Sequence, residues 1–469
     1  MALDIVIMAA GKGTRMKSSL PKVLHTLAGR SLLQHVVQTT AELQADCVVV
    51  ITGHGAEQVE SAFGPTPLRF VRQSPQLGTG HAVMQAVPAL HDDGVTLILN
   101  GDVPLIEAPT LRALVDACAG QQLALLSVRL DDPTGYGRIL RHPQAGPSAE
   151  PGGSVQGIVE QRDASPEQRA LHEVYTGVMA APTRLLKGWL QALTPQNAQG
   201  EYYLTDVVAL AVAGGTPVVC TQAASEIEVL GVNSPSQLAD LERRLQRRQA
   251  DDLMAAGVRL ADPARLDVRG PLHCGTDVEI DVNCVFEGEV RLGDGVRIGP
   301  NCVIRQAEIG AGTVIQAFTH IDGEQAGVRV GAQASIGPFA RLRPGATLGD
   351  AVHIGNFVEV KNATLGHGSK ANHLAYLGDA TVGERVNFGA GSITANYDGA
   401  HKHRTVIGND VHVGSNCVLV APIRLGDGAT IGGGTTLSKD APAGQLTLAR
   451  ATQVSYEHWE RPRKTAPKE

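Results

Sequence analysis

Residues 330–360 read VGAQASIGPFARLRPGATLGDAVHIGNFVEV, and one spacing runs through them: Val330, Ile336, Leu342, Leu348, Ile354 and Val360 stand six apart. The same period returns at Ile407, Val413, Leu419, Leu425, Ile431 and Leu437. An amphipathic helix brings its apolar face round about every 3.6 residues and an alternating strand every two, so neither explains the pattern. A parallel β-helix does, because one aliphatic side chain per short strand points inward and stacks on its neighbour in the next coil. Glycine often follows the aliphatic residue, as in Ile336-Gly337, Leu348-Gly349 and Ile431-Gly432, and lets the chain turn a corner that a Cβ would resist. The phrasing begins earlier, at Leu292-Gly293, Ile298-Gly299 and Ile309-Gly310, with slips in phase. Three interruptions, at 322–327, 365–382 and 393–406, read as irregular insertions where chemistry would ride.

At 469 residues the chain is too long for one ordinary core, so at least two domains are expected. Only 3% of residues are aromatic while glycines number 54, which suits a solenoid with aliphatic rungs and glycine corners. A net charge of -7 disfavours a general nucleic-acid binder, which needs a dense Lys/Arg face. The seven cysteines are scattered and form no CxxC, as expected of small buried residues in a reducing cytoplasm. No apolar run is long enough to span a membrane, and the short run Ile5 to Ala10 lacks a basic leader. A cytoplasmic protein without membrane insertion is expected.

The N-terminal part reads as an α/β layered sheet, Rossmann-like, with a mostly parallel core. Strand-like runs lie at Asp4 to Met8, Cys47 to Thr52, Val95 to Asn100, Leu123 to Val128 and Val218 to Cys220, with helix-like segments between. The first runs straight into Ala9-Ala10-Gly11-Lys12-Gly13-Thr14-Arg15-Met16, a Gly-rich turn whose amides can approach a phosphate chain. Neither the dinucleotide fingerprint nor the Walker A pattern is satisfied, since Met16 and Gly13 stand where a glycine and a Ser or Thr are needed. Gln73 precedes a second glycine loop at Gly78-Thr79-Gly80, and its amide offers the donor and acceptor edge that a base requires. Asp102 ends the run Thr96 to Asn100, at the strand end where open parallel sheets collect ligands. The expected divisions are a catalytic domain over 1–233, a helical linker over 234–257, a β-helix over 258–460 and a disordered tail over 461–469. Ser234-Pro235-Ser236-Gln237 reads as the cap of the linker helix, with Leu238, Leu241 and Leu245 on one face and Gly257 as its stop.

The order AAGxGTRM, Pro21-Lys22, Gln73 with GTGHA, then Asn100-Gly101-Asp102-Val103-Pro104-Leu105 resembles the sugar-nucleotide pyrophosphorylase family. Joined to a hexapeptide solenoid, the whole chain is similar to the bifunctional N-acetylglucosamine-1-phosphate uridylyltransferase/glucosamine-1-phosphate N-acetyltransferase family. The resemblance implies that Met8, Ala9, Ala10 and Gly11 bind the nucleotide, with the glycine loop, Arg15 and Lys22 on the phosphates of UTP, while Gln73, Gly78 and Thr79 read uracil. It further implies Mg2+ on Asp102 and Asn233, with Asn100, Gly101, Gly137, Glu160 and Tyr175 around the sugar. Tyr175 departs from the family's usual Asn before Thr-Gly, which puts that one sugar contact in question.

In the solenoid the phrase Ser369-Lys370-Ala371-Asn372-His373-Leu374-Ala375-Tyr376 resembles the family's acetyl-transfer motif and implies His373 as base. Imidazole suits the task, since a bound ammonium must lose a proton before attacking a thioester. Arg343, Lys361, Tyr376 and Asn387 match the sugar-phosphate contacts; Ala390, Asn396, Tyr397, Ser415, Gly433 and Arg450 match the acetyl-CoA contacts. Glu359 is a candidate for orienting His373, and a backbone amide near Asn396 and Tyr397 for the oxyanion. The family also implies a homotrimer, a left-handed solenoid and small-molecule substrates: UTP, sugar-1-phosphates and acetyl-CoA. A rival reading keeps only the nucleotidyltransferase and makes the β-helix a trimerisation scaffold.

Overall fold

The computed structural model describes residues 1–142 and 153–462, so most of the expected disordered tail lies outside the described residues. The chain divides into two compact units, Met1–Leu245 and Gln246–Glu469.

The first unit is built on a nine-stranded sheet. Its strands are β1 (Ala2–Ala9), β2 (Cys47–Thr52), β3 (Arg69–Arg72), β4 (Gly94–Asn100), β5 (Leu123–Arg129), β6 (Gly137–Arg141), β7 (Val155–Val159), β8 (Glu173–Pro182) and β9 (Val218–Gln222). The order is β9-β5-β8-β4-β1-β2-β3, with β6 beside β8 and β7 beside β6. β4, β1, β2 and β3 run parallel, as the uninterrupted apolar runs require of strands covered on both faces. Ile5, Ile7 and Leu97 enter the core on one face, Val6, Val49 and Ile98 the core on the other. Each fully buried aliphatic contributes roughly 1.5–3 kcal/mol. β8 runs antiparallel to both β4 and β5, the exception in a core that is otherwise parallel as expected, since β5 and β9 run in the same sense as β4. β8 hides in the sequence because Gly177, at φ 87, and a bulge between Tyr175 and Met179 break its pattern. The register Met8↔Asn100 brings the ends of β1 and β4 side by side, so the loops that leave them open at one edge of the sheet.

The helix Pro235–Ala255 starts where Ser234 Oγ accepts from the Gln237 amide at 3.2 Å, and Gly257 turns the chain out of it at φ 97. Leu241 and Leu245 close a cluster with Met16, Leu27 and Leu32 in the first unit, whereas Ala250 belongs to the core of the second.

The second unit is a left-handed parallel β-helix with three faces. Ile336, Ile354, Ala371, Phe388, Val413 and Ile431 stack on one face. Leu342, Val360 and Leu377 stack on the second, and Leu348, Leu365, Val382, Ile407 and Leu425 on the third. All twelve aliphatics of the sixfold pattern lie in this one core, none more than 4% exposed. Three hexads therefore make one coil. The expected insertion at 365–382 is not one: Ala371 and Leu377 take the inward positions of an ordinary coil whose register is 17 residues rather than 18. An alanine rung one residue out of phase looks like a gap in an aliphatic period. The stretch 393–406 is an insertion, lengthening its coil to 25 residues between Asn387 and His412.

Candidate functional sites

In the first unit the phosphate-loop, base and sugar candidates line two adjoining parts of one cleft. Met8, Ala9, Ala10, Gly11, Lys22, Gln73 and Gly78 line one part. Arg15, Gly137, Glu160, Tyr175 and Asn233 line the other, and Met8, Thr79, Asn100 and Asp102 belong to both. Gly101 anchors the edge by donating its amide to the Met8 carbonyl at 2.9 Å. A Cβ built on Gly11 would meet nothing within 4 Å, so the backbone there faces open space where a ligand can come close. Gly78 is held at φ 112, and a Cβ there would sit 2.5 Å from the Tyr202 carbonyl oxygen, which explains the glycine.

Lys22 follows Pro21 at the start of a short 3-10 turn, and its ammonium pairs with Asp102 Oδ2 and donates to Asn233 Oδ1 at 3.0 Å. Two oxygens from distant parts of the chain thus already converge on one cation. Gln73 is 5% exposed and spends its amide hydrogens internally, on the Gly78 carbonyl at 2.9 Å and on His81 Nδ1 at 3.1 Å. Only its Oε1 remains for a base, so the expected donor-and-acceptor edge reduces to an acceptor. Glu160 accepts from Thr205 Oγ1 at 3.0 Å, and burial pushes its carboxyl above the usual carboxylate range. The Tyr175 hydroxyl is buried without a hydrogen-bond partner among the described residues. Burial, then the Glu160 charge, holds it well above the ordinary phenol value.

In the second unit one column of the solenoid gathers four of the acetyl-transfer candidates, His373, Ala390, Ser415 and Gly433. Two residues beyond successive rungs on the first face stand Asn356, His373, Ala390, Ser415 and Gly433. Successive coils are tied along it by amides that donate to the carbonyls of Asn356, His373, Ala390 and Ser415. His373 is exposed, at the end of the strand Lys370–His373, and its Nδ1 lies 2.6 Å from Asn356 Oδ1. Glu359 does not reach it as expected: its carboxylate is held by Arg343 at 2.8 Å and Arg341 at 3.6 Å. The corner of the coil decides this, because Glu359 sits on the next face, paired in register with Tyr376, whereas His373 pairs with Asn356. Arg343 and Lys361 flank that same face, and the neighbouring Lys402 ammonium, then partial burial, holds Lys361 below the ordinary lysine range. Asn387 contacts His412 at 3.2 Å.

Asn396 and Tyr397 lie on the insertion. The Asn396 amide is buried and donates to Asp379, while Tyr397 is 62% exposed with its hydroxyl on the Gly399 carbonyl. Arg450 donates to the Gly433 carbonyl at 2.8 Å, at the end of the column.

Comparison with known proteins follows the same division. The family described as MobA-like NTP transferase domain matches residues 5–259, and the bacterial transferase hexapeptide repeat matches 272–306 and 404–439. A curated relative from Methylibium petroleiphilum, "Bifunctional protein GlmU", is 72% identical over 98% of this chain and 99% of its own length. This chain belongs to the GlmU family of bifunctional proteins. A second GlmU, from Albidiferax ferrireducens, is 65% identical over 98% of this chain and 100% of its own. Among solved structures, a UDP-glucose pyrophosphorylase complexed with UDP-glucose covers 53% of this chain at 17% identity and a TM-score of 0.44, too loose to weigh further. As a GlmU-family protein the chain is a uridylyltransferase and an acetyltransferase.

Three side chains at the GlmU sites went unnoticed in the sequence: His81, which fixes Gln73, Lys402, which crowds Lys361, and Asn356, which meets His373. Only the coil register brings Asn356 to the histidine, 17 residues away.

Proposed function

We propose that the second unit transfers acetyl from acetyl-CoA to the amine of glucosamine-1-phosphate. The first unit then joins the N-acetylated product to UMP from UTP, releasing pyrophosphate. In acetyl transfer Arg343 and Lys361 bind the sugar phosphate, with Tyr376 and Asn387 against the sugar. His373 Nε2 takes a proton from the amine as its nitrogen attacks the thioester carbon, and CoA leaves as thiol. Ala390, Asn396, Tyr397, Ser415, Gly433 and Arg450 hold acetyl-CoA, and the backbone near Asn396 and Tyr397 donates to the oxyanion. The observation that carries this half is the exposed His373 at the head of the Ala390–Ser415–Gly433 column.

For uridylyl transfer, an oxygen of the sugar phosphate attacks the α-phosphorus in line while pyrophosphate departs. The loop at Gly11 and the charges of Arg15 and Lys22 hold the triphosphate, and Gln73 Oε1 accepts from the imide N–H of uracil. Glu160 and Gly137 contact the sugar, beside Asn100, Gly101 and Tyr175. Asp102 and Asn233 are the residues to hold Mg2+, which would neutralise phosphate charge and steady the leaving pyrophosphate. Their fit is supported by the ammonium of Lys22, a cation already shared between the two oxygens. No cluster of three His, Cys, Asp or Glu occurs among the described residues, which suits a metal that takes most of its ligands from phosphate and water.

A homotrimer is supported by a ladder of exposed apolar groups on one corner of the solenoid. Phe318, Phe339 and Phe357 stack at 5.0 and 5.4 Å, and Leu374, beside His373, is 61% exposed. No helix among the described residues is long and apolar enough to cross a membrane, and a cytoplasmic enzyme is proposed. The test is substrate choice. With acetyl-CoA and glucosamine-1-phosphate the enzyme should release thiol, and with UTP and N-acetylglucosamine-1-phosphate it should release pyrophosphate. Equal use of another nucleoside triphosphate, or no thiol release, would overturn the reading.

A further inference from the structure

We infer that Asn356 is the positioning residue of the acetyl-transfer base, fixing both the tautomer and the aim of His373. This rests on the proposed role of His373 and adds the group through which it works. The two residues are paired in register on adjacent coils, and Asn356 Oδ1 lies 2.6 Å from His373 Nδ1. An amide oxygen can only accept, so Nδ1 carries the proton in this contact and the lone pair is left on Nε2, the nitrogen that must receive the proton of the amine. The contact is the ring's one hydrogen bond among the described residues, and no acidic side chain takes its place. Glu359, across the corner, is committed to Arg343 and Arg341; Lys370 is three residues back on the same strand, paired in register with His353 and Asn387. The backbone locks the arrangement, since the Leu374 amide donates to the Asn356 carbonyl at 3.0 Å. Asn356 orients the ring without placing a charge beside it. A carboxylate in the same place would favour the imidazolium.

The experiment compares native enzyme with Asn356→Ala, Asn356→Asp and His373→Ala, following thiol release against pH and pyrophosphate release in the same preparations. Asn356→Ala should lower kcat for acetyl transfer roughly 10- to 100-fold, a part of what a general base supplies, with KM for glucosamine-1-phosphate within about twofold. Asn356→Asp keeps an acceptor, so it should restore much of kcat while moving the acid limb of the rate profile up by about one pH unit. Pyrophosphate release should be unchanged in both. Native kcat in Asn356→Ala, or an unshifted acid limb in Asn356→Asp, would overturn the inference, even where His373→Ala abolishes thiol release. Full thiol release by His373→Ala would instead overturn the proposed base itself.

Discussion

At the scale of single residues, Glu160 is the group whose surroundings most sharply fix a measurable behaviour. Its carboxyl is held above the usual range by burial in the cleft wall, against the hydrogen bond from Thr205, which lowers it, and with Asp206 and Asp163 adding like charge. A carboxyl raised in this way binds its proton more readily folded than unfolded. Its contribution to stability is therefore present below the ordinary carboxylate range and is lost as pH rises through the folded value. Glu160→Gln should melt at a higher temperature than native enzyme at pH 7, with the difference shrinking toward pH 4. The same change should cut uridylyl transfer roughly 10- to 100-fold, as expected for losing a charged hydrogen bond to substrate, without affecting acetyl transfer. Asp102, Gly11 and His373 were legible in the sequence as candidates, through the surrounding motifs that resemble the family's. Partners were not: the Gln73 amide reads as a complete base edge until His81 and Gly78 are seen to occupy half of it.

At the scale of elements, the rungs of the solenoid place the column of candidate residues. Ile354 is 1% exposed between Ile336 and Ala371, and Asn356 follows two positions on. Ile354→Ala would set a second small side chain beside Ala371, leaving a void that neighbouring strands, fixed by their ladders, fill only in part. The loss should be about 2–5 kcal/mol in denaturant unfolding of the second unit, with acetyl transfer reduced and uridylyl transfer kept. The period of six disclosed the rungs because aliphatic side chains repeat there. It mislabelled 365–382 because the pattern counts bulk, whereas the coil requires only an inward side chain of any size, and Ala371 satisfies that with a one-residue slip. β8 was invisible for a related reason, since the bulge at Tyr175 to Met179 gives up alternation to turn residues toward the cleft.

At the scale of the whole molecule, each of the two compact units is assigned one of the two proposed chemistries. The candidate nucleotide cleft is walled by the sheet of the first unit, and the His373 column belongs to the single core of the second. In the proposed function both sites would take anionic ligands through a few local cations, Lys22 and Arg15 in one, Arg343 and Lys361 in the other. This reconciles substrate binding with a net charge of -7. The most direct measurement pairs two variants of the full chain, His373→Ala and Asp102→Ala, with thiol release from acetyl-CoA and pyrophosphate release from UTP recorded on each. His373→Ala should lose thiol release by about 100-fold or more and keep pyrophosphate release, and Asp102→Ala should do the reverse. If either substitution abolishes both activities in a folded protein, or His373→Ala leaves both intact, the assignment of one chemistry to each unit is wrong.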